Sequence, residues 1–139
     1  MKFVVDRSQA EAKNFTTPGE YTVIVSSAKD EGLDKNGNPV CILKYKGAGG
    51  EIISDRFTLK DTMMWRLQAL ISATEANIDD GAEFDFSVGG AFTRFLQGFV
   101  GLSMIVVLEN EKYTDKNGQE QTTLRVRRMK KVPSDNDTI

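Results

Sequence analysis

Histidine is missing from all 139 residues, and cysteine occurs once, at Cys41. The first absence removes the commonest general base and the commonest transition-metal ligand together, so hydrolytic triads and zinc centres are not expected. The second excludes an internal disulfide, and Cys41, set among Val40, Ile42 and Leu43, reads as a small buried hydrophobe rather than a nucleophile. Long apolar runs are absent too: a stretch such as Met104 to Leu108 falls far short of the ~18 residues a membrane helix needs. The opening Met-Lys-Phe-Val-Val-Asp meets charge too early for the apolar region of a signal peptide. A cytoplasmic chain without a membrane partner is expected. Gly89-Gly90 lacks the Lys-Ser/Thr continuation that gives a phosphate-binding loop its chemistry, so neither a cofactor nor a catalysed reaction is expected.

Hydrophobic residues make up 40% and charged residues 27% of the chain, an ordinary globular balance at a length suited to one domain. The formal net charge of −2 argues against a surface that grips a polyanion everywhere. Its distribution is uneven, however. Gln121 to Val132 holds Arg125, Arg127, Arg128, Lys130 and Lys131 without an acid, leaving 13 basic against 20 acidic residues elsewhere.

Residues 1–17 mix charged and apolar residues without a period and read as an arm, ended by the turn Thr17-Pro18-Gly19. Tyr21 to Ser26 alternates β-branched and aromatic residues as a strand does. Asp34-Lys35-Asn36-Gly37 then supplies a tight hairpin turn, with Asn-Gly suited to positive φ, and Pro39 opens a second strand running to Lys46. After Gly47-Ala48-Gly49-Gly50, a third strand is expected over Glu51 to Leu59. Met63, Leu67, Leu70, Ile71 and Thr74 recur at spacings of three and four, which predicts a helix over Thr62 to Ala73 with Asp61 as its N-cap and Trp65 packing it onto the sheet. Glu75 to Asp85 is acidic and irregular, and Phe92 to Val100 reads as a loop or short helix plugging one end of a barrel. Strands are expected over Leu102 to Tyr113 and Glu120 to Val132, joined by a second Asp-Lys-Asn-Gly at Asp115 to Gly118. Three strands, a helix and two strands is the order of a five-stranded OB-fold-like Greek-key barrel over residues 1–132, followed by a short acidic tail at 133–139.

Such barrels commonly hold oligonucleotides on strands two and three and on the loops joining strands one to two and four to five. With Leu124 and Val126 inward, Arg125 and Arg127 point outward, and the same alternation turns out Lys44, Lys46 and Arg56. Cations along a groove follow phosphates, while aromatic faces stack unpaired bases. Tyr113 is the first stacking candidate and Tyr45 the second, its ring reading equally as core with an exposed hydroxyl. The stripe also reads as a solvated edge that discourages aggregation. The acids Asp79, Asp80, Glu83 and Asp85 form the one constellation suited to Mg²⁺, but no Lys or Arg occurs between Arg66 and Arg94 to assist a nuclease.

The Pro18-Gly19-Glu20-Tyr21 start, the Asp55-Arg56-Phe57-Thr58-Leu59 segment ahead of Trp65, and the late Asn117-Gly118 hairpin resemble phage-encoded single-stranded DNA-binding proteins, a family once catalogued as a domain of unknown function. The resemblance implies an OB-fold, sequence-tolerant single-stranded DNA binding, work in phage DNA replication or recombination, and a place in the host bacterial cytoplasm. It assigns no individual binding residue. Phage recombination or replication proteins are the further partners it implies. A module recruiting a phage recombinase or nuclease is the alternative, and the sequence leaves a homo-oligomer open.

Overall fold

The computed structural model describes residues 1–5 and 13–133. The middle of the expected arm, residues 6–12, and nearly all of the expected acidic tail, residues 134–139, lie outside them. Five strands, β1 (Gly19–Leu33), β2 (Pro39–Gly47), β3 (Ile52–Thr58), β4 (Ser103–Thr114) and β5 (Glu120–Lys130), form one sheet in the order β3-β2-β1-β4-β5. Each neighbouring pair is antiparallel. A 3₁₀ turn (Asp61–Met63) and two helices, α1 (Met64–Thr74) and α2 (Ala91–Gln97), connect β3 to β4. The chain is mainly β, as its alternating segments and turn motifs imply, but the sheet is not hydrogen-bonded shut between β3 and β5, where a barrel was expected. Part of the outer edge of β3 is already occupied. Ile52 exchanges backbone hydrogen bonds with Lys13 and Phe15, and the Arg66 side chain donates to the Arg56 carbonyl at 3.4 Å. An edge whose groups find partners in this way does not recruit another strand.

β1 extends well beyond the expected Tyr21–Ser26. Its start pairs with β4 from Gly19 to Ile24, and its longer remainder pairs with β2 from Val23 to Leu33. A bulge between Val25 and Ser27 resets the register between the two regimes, and bulges of this kind bend a strand. One strand thereby serves two partners that diverge.

Each Asp-Lys-Asn-Gly turn is built by its aspartate. Asp34 Oδ1 accepts the amides of Asn36 and Asn38, and Asp115 Oδ1 those of Asn117 and Gln119, all at 2.9 Å. Only the glycines, Gly37 (φ 82°) and Gly118 (φ 76°), take positive φ in these turns. They are therefore not two-residue turns with Asn and Gly both left-handed; the glycine alone supplies the reversal.

In α1, Leu67, Leu70, Ala73 and Thr74 are buried on the expected face. Asp61 does not cap it, because the 3₁₀ turn intervenes and Met63 takes the cap position without a side-chain bond. The expected plug at Phe92–Val100 is a helix, α2, with Phe92, Leu96 and then Phe99 in the core. These pack against Val23, Val25, Cys41, Leu43, Phe57, Met104 and Val106. The arm does not run free to Thr17: Phe15 is buried against Tyr21, ring centroids 4.6 Å apart. Its ring occupies the space a side chain at Gly47 would need, 2.6 Å from a Cβ placed there.

Among the described residues, one charged pair lies inside. Asp55 is 8% exposed and receives Arg66 through two bonds, Nη1 to Oδ1 at 2.8 Å and Nη2 to Oδ2 at 2.7 Å. The Tyr45 hydroxyl donates to the same carboxylate at 2.8 Å, and the guanidinium lies 4.8 Å from the centre of the Phe57 ring. Asp55 and Phe57 share the inner face of β3, so Asp-x-Phe presents a carboxylate and a ring to one arginine of α1. Burial works against the Arg66 charge, but the hydrogen bonds and charge of Asp55 outweigh it and raise its pKa. Burial first, and the Asp55 charge second, push the Tyr45 hydroxyl well above its usual value of 10.

Removing one member of such a pair leaves the other charge buried. Asp55→Ala is expected to cost about 3–5 kcal/mol, and Asp55→Ala combined with Arg66→Met less than the two separate losses added together. Thermal or urea unfolding of the three variants checks this, and strict additivity would sink it. Tyr45 adds a pH dependence. The folded chain keeps a proton that the unfolded chain releases above about pH 10, so this stability is intact below that pH and is lost as pH rises beyond it. Tyr45→Phe should cost about 1.5–3 kcal/mol at neutral pH and flatten the alkaline loss in urea titrations. An alkaline limb equally steep in both proteins would refute the assignment.

Candidate functional site

A hollow of about 430 Å³ lies between β3, β5 and the start of α1, and one of about 460 Å³ lies between α1, β4 and β5. Arg66, Arg125 and Val126 line both, so the two adjoin as one trough that runs from the open seam along the β4–β5 side of α1. Arg56 and Lys60 stand at one end, and Trp65, Lys112 and Arg127 at the other. Six cations, Arg56, Lys60, Arg66, Lys112, Arg125 and Arg127, face three carboxylates, Asp55, Glu109 and Glu111.

The carboxylates do not hold these cations equally. Asp55 neutralises Arg66 in the interior. Arg125 Nε meets Glu111 at 3.0 Å with both side chains 60% exposed, and Arg127 Nε lies 3.7 Å from Glu109. Exposed pairs of this type are worth ~0–1 kcal/mol and are screened by salt, so a ligand with closely spaced anions displaces the glutamates at small cost. Lys112 leans toward Glu120 at 3.4 Å, outside the trough. Among the described residues Arg56 and Lys60 have no ion-pair partner.

Trp65 is 61% exposed on the rim, which corrects the expectation that it packs α1 onto the sheet. The sequence did carry the signal: at ~100° per residue, Trp65 stands about 200° around the helix from Leu67, away from the buried face. The same rim position gives a large flat ring to whatever enters the trough, with Arg66 and Arg125 in the same lining.

The residues expected from sequence separate into four groups. Arg56, Arg125 and Arg127 line the trough. Lys44 and Lys46 are exposed on the adjoining outer face of β2, where Lys44 is paired with Ser54 in register and Ser54 reaches the trough wall. Tyr113 is 47% exposed on β4 but lies beyond the residues that line the trough. Tyr45 is corrected outright: ring and hydroxyl are wholly buried, the hydroxyl spent on Asp55, and no base can stack there. Sequence reasoning missed Lys60, Arg66 and Lys112. Arg66 was legible in principle, because an inward Asp55 on a strand demands a cation and Arg66 adjoins the buried face of α1.

Elsewhere, burial pushes the Cys41 thiol up, against the opposing effect of hydrogen bonding to Thr93. Among the described residues, no three Asp, Glu or Cys side chains gather as a metal ion would require, and Asp79, Asp80, Glu83 and Asp85 stay spread along their loop. No helix among the described residues is long and apolar enough to cross a membrane. No protein-family model matches the chain, and no curated protein matches it.

An exposed rim position makes Trp65→Ala nearly neutral for folding, within about 0.5 kcal/mol. As Trp65 is the chain's one tryptophan, its fluorescence should resemble that of the free side chain in water and be readily quenched by iodide. A blue-shifted, quencher-resistant emission, or a clear drop in Tm on substitution, would place the ring in the core instead.

Proposed function

We propose that this chain is a sequence-tolerant single-stranded DNA-binding protein that serves phage DNA replication or recombination and has no catalytic step of its own. The observation that carries the reading is the trough: a cationic channel with an exposed tryptophan on its rim. Spaced cations neutralise phosphates, and a ring face stacks any of the four bases at about 1–3 kcal/mol each. The strand order β3-β2-β1-β4-β5, with helices between β3 and β4, supports an OB-fold-like frame, a class described as a five-stranded, partly open Greek-key barrel that binds oligonucleotides. Arg56, Arg125, Arg127 and Lys60 contact phosphates, Trp65 stacks a base, and Lys44, Lys46 and Tyr113 extend the contact over the outer face. A host bacterial cytoplasm fits this work.

The glutamates paired with Arg125 and Arg127 favour a second reading, a module that recruits a phage recombinase or nuclease, since mixed charge suits a protein surface. Salt-insensitive binding to such a partner without any oligonucleotide binding would select it.

Titration of labelled single-stranded DNA, RNA and duplex tests the first reading. Affinity should favour the single strand and fall with salt at a log–log slope of about −3 to −4, given roughly 0.7 per neutralised phosphate. Equal affinity for duplex refutes it. Arg125→Ala with Arg127→Ala should flatten the slope by about 1 to 1.5. Trp65→Ala should weaken binding by about 1–3 kcal/mol and leave the slope unchanged; a Trp65 variant with wild-type affinity moves the stacking site to Tyr113.

A further inference from the structure

On the side of α1 away from Trp65, a second hollow of about 220 Å³ shares no lining residue with the trough. Met64, Leu67, Ile71, Ile78 and Phe95 form its walls. Phe84 borders it, half-exposed, its ring 4.7 Å from Phe95 and near-parallel to Phe86 at 6.5 Å. Apolar cavities of about 150 Å³ already accept a benzene ring, so this one admits a phenylalanine side chain. Asp79 and Asp80 border the hollow, and neither carboxylate has an ion-pair partner among the described residues.

The same chain carries a segment of matching chemistry. In Met1–Val5, Phe3 is 89%, Val4 79% and Val5 65% exposed, and Lys2 is its one charged side chain. An open apolar hollow with an acidic rim and an exposed apolar segment with a lysine are complementary in both shape class and charge, and a single chain leaves both uncovered.

We propose that Met1–Val5 of one copy docks in this hollow on a second copy, Phe3 entering between Phe84 and Ile71 and Lys2 facing Asp79 and Asp80. The contact is heterologous: each copy offers a segment and a hollow at different places, so association propagates from copy to copy rather than stopping at a symmetric dimer. It is independent of the trough, and self-association is measured without DNA, so its failure and that of the DNA-binding reading are separable. Where both hold, copies side by side on one strand are linked to one another.

Sedimentation velocity of the full chain, without nucleic acid, should show concentration-dependent growth up to about 1 mM, the range of a small, weak contact. Phe3→Asp and Phe84→Asp should each be monomeric. Mixed together they should form one-to-one dimers that grow no further, because only the segment of the Phe84 variant and the hollow of the Phe3 variant remain. A wild-type chain that stays monomeric up to about 1 mM overturns the proposal, and this is also the outcome if the segment folds back on its own chain; a mixture that behaves as two independent monomers overturns it as well. If Phe84→Asp fails to fold, Asp79→Lys with Asp80→Lys takes its place: association should be lost and then restored by adding Lys2→Glu. Loss without restoration counts against the docking.

Discussion

A carboxylate taken out of water on β3 has to be met by a cation that is itself held still, and much of the molecule follows from that requirement. Asp55 is satisfied from two sides, by the Arg66 fork and the Tyr45 hydroxyl, so β2, β3 and α1 are joined at one point. Because Arg66 also covers the Arg56 carbonyl, the pair fixes the distance at which α1 stands off the sheet edge. The trough exists because of that spacing. A hydrophobic contact in the same place would tolerate sliding of the helix, whereas a two-bond guanidinium–carboxylate contact fixes direction as well as distance.

Much of this frame was legible in the sequence, for identifiable reasons. Burial alternates over Leu43–Lys46 of β2 and Leu124–Arg127 of β5, so Lys44, Lys46, Arg125 and Arg127 fall on the outer face where period-two reasoning puts them. The Pro-Gly-x-Tyr start has a mechanism in the structure: the Tyr21 hydroxyl donates to the Thr17 carbonyl at 2.8 Å and ties down the turn that precedes it. What stayed hidden depends on contacts between distant segments. The full length of β1 past its bulge, the pairing of Lys13 and Phe15 with β3 and the open seam all follow from partners that local periodicity does not register. The candidate site was half legible on the same grounds. Outward arginines announce themselves by alternation, but the pairing of Arg125 with Glu111 requires knowing which β4 residue lies beside it.

Pairing also explains how an acidic protein presents a cationic channel. Glu109 and Glu111 stand on β4 next to the arginines of β5, so in the free protein the positive field is damped close to its source. A ligand must compete with tethered carboxylates, which favours one that brings several anionic groups at a fixed spacing over isolated anions, since only the former replaces both pairs at once. Total charge therefore says little about this surface; the positions of the acids relative to the arginines say more.

The unsealed border between β3 and β5 has a topological consequence. A closed ring or an enclosed tunnel admits a polymer only by threading from an end or by opening. A trough that lies along a seam and faces outward takes a chain in sideways, at any point along its length. On the proposed function, circular strands and internal gaps are then as accessible as free termini, and release needs only a peeling motion that surrenders one contact at a time.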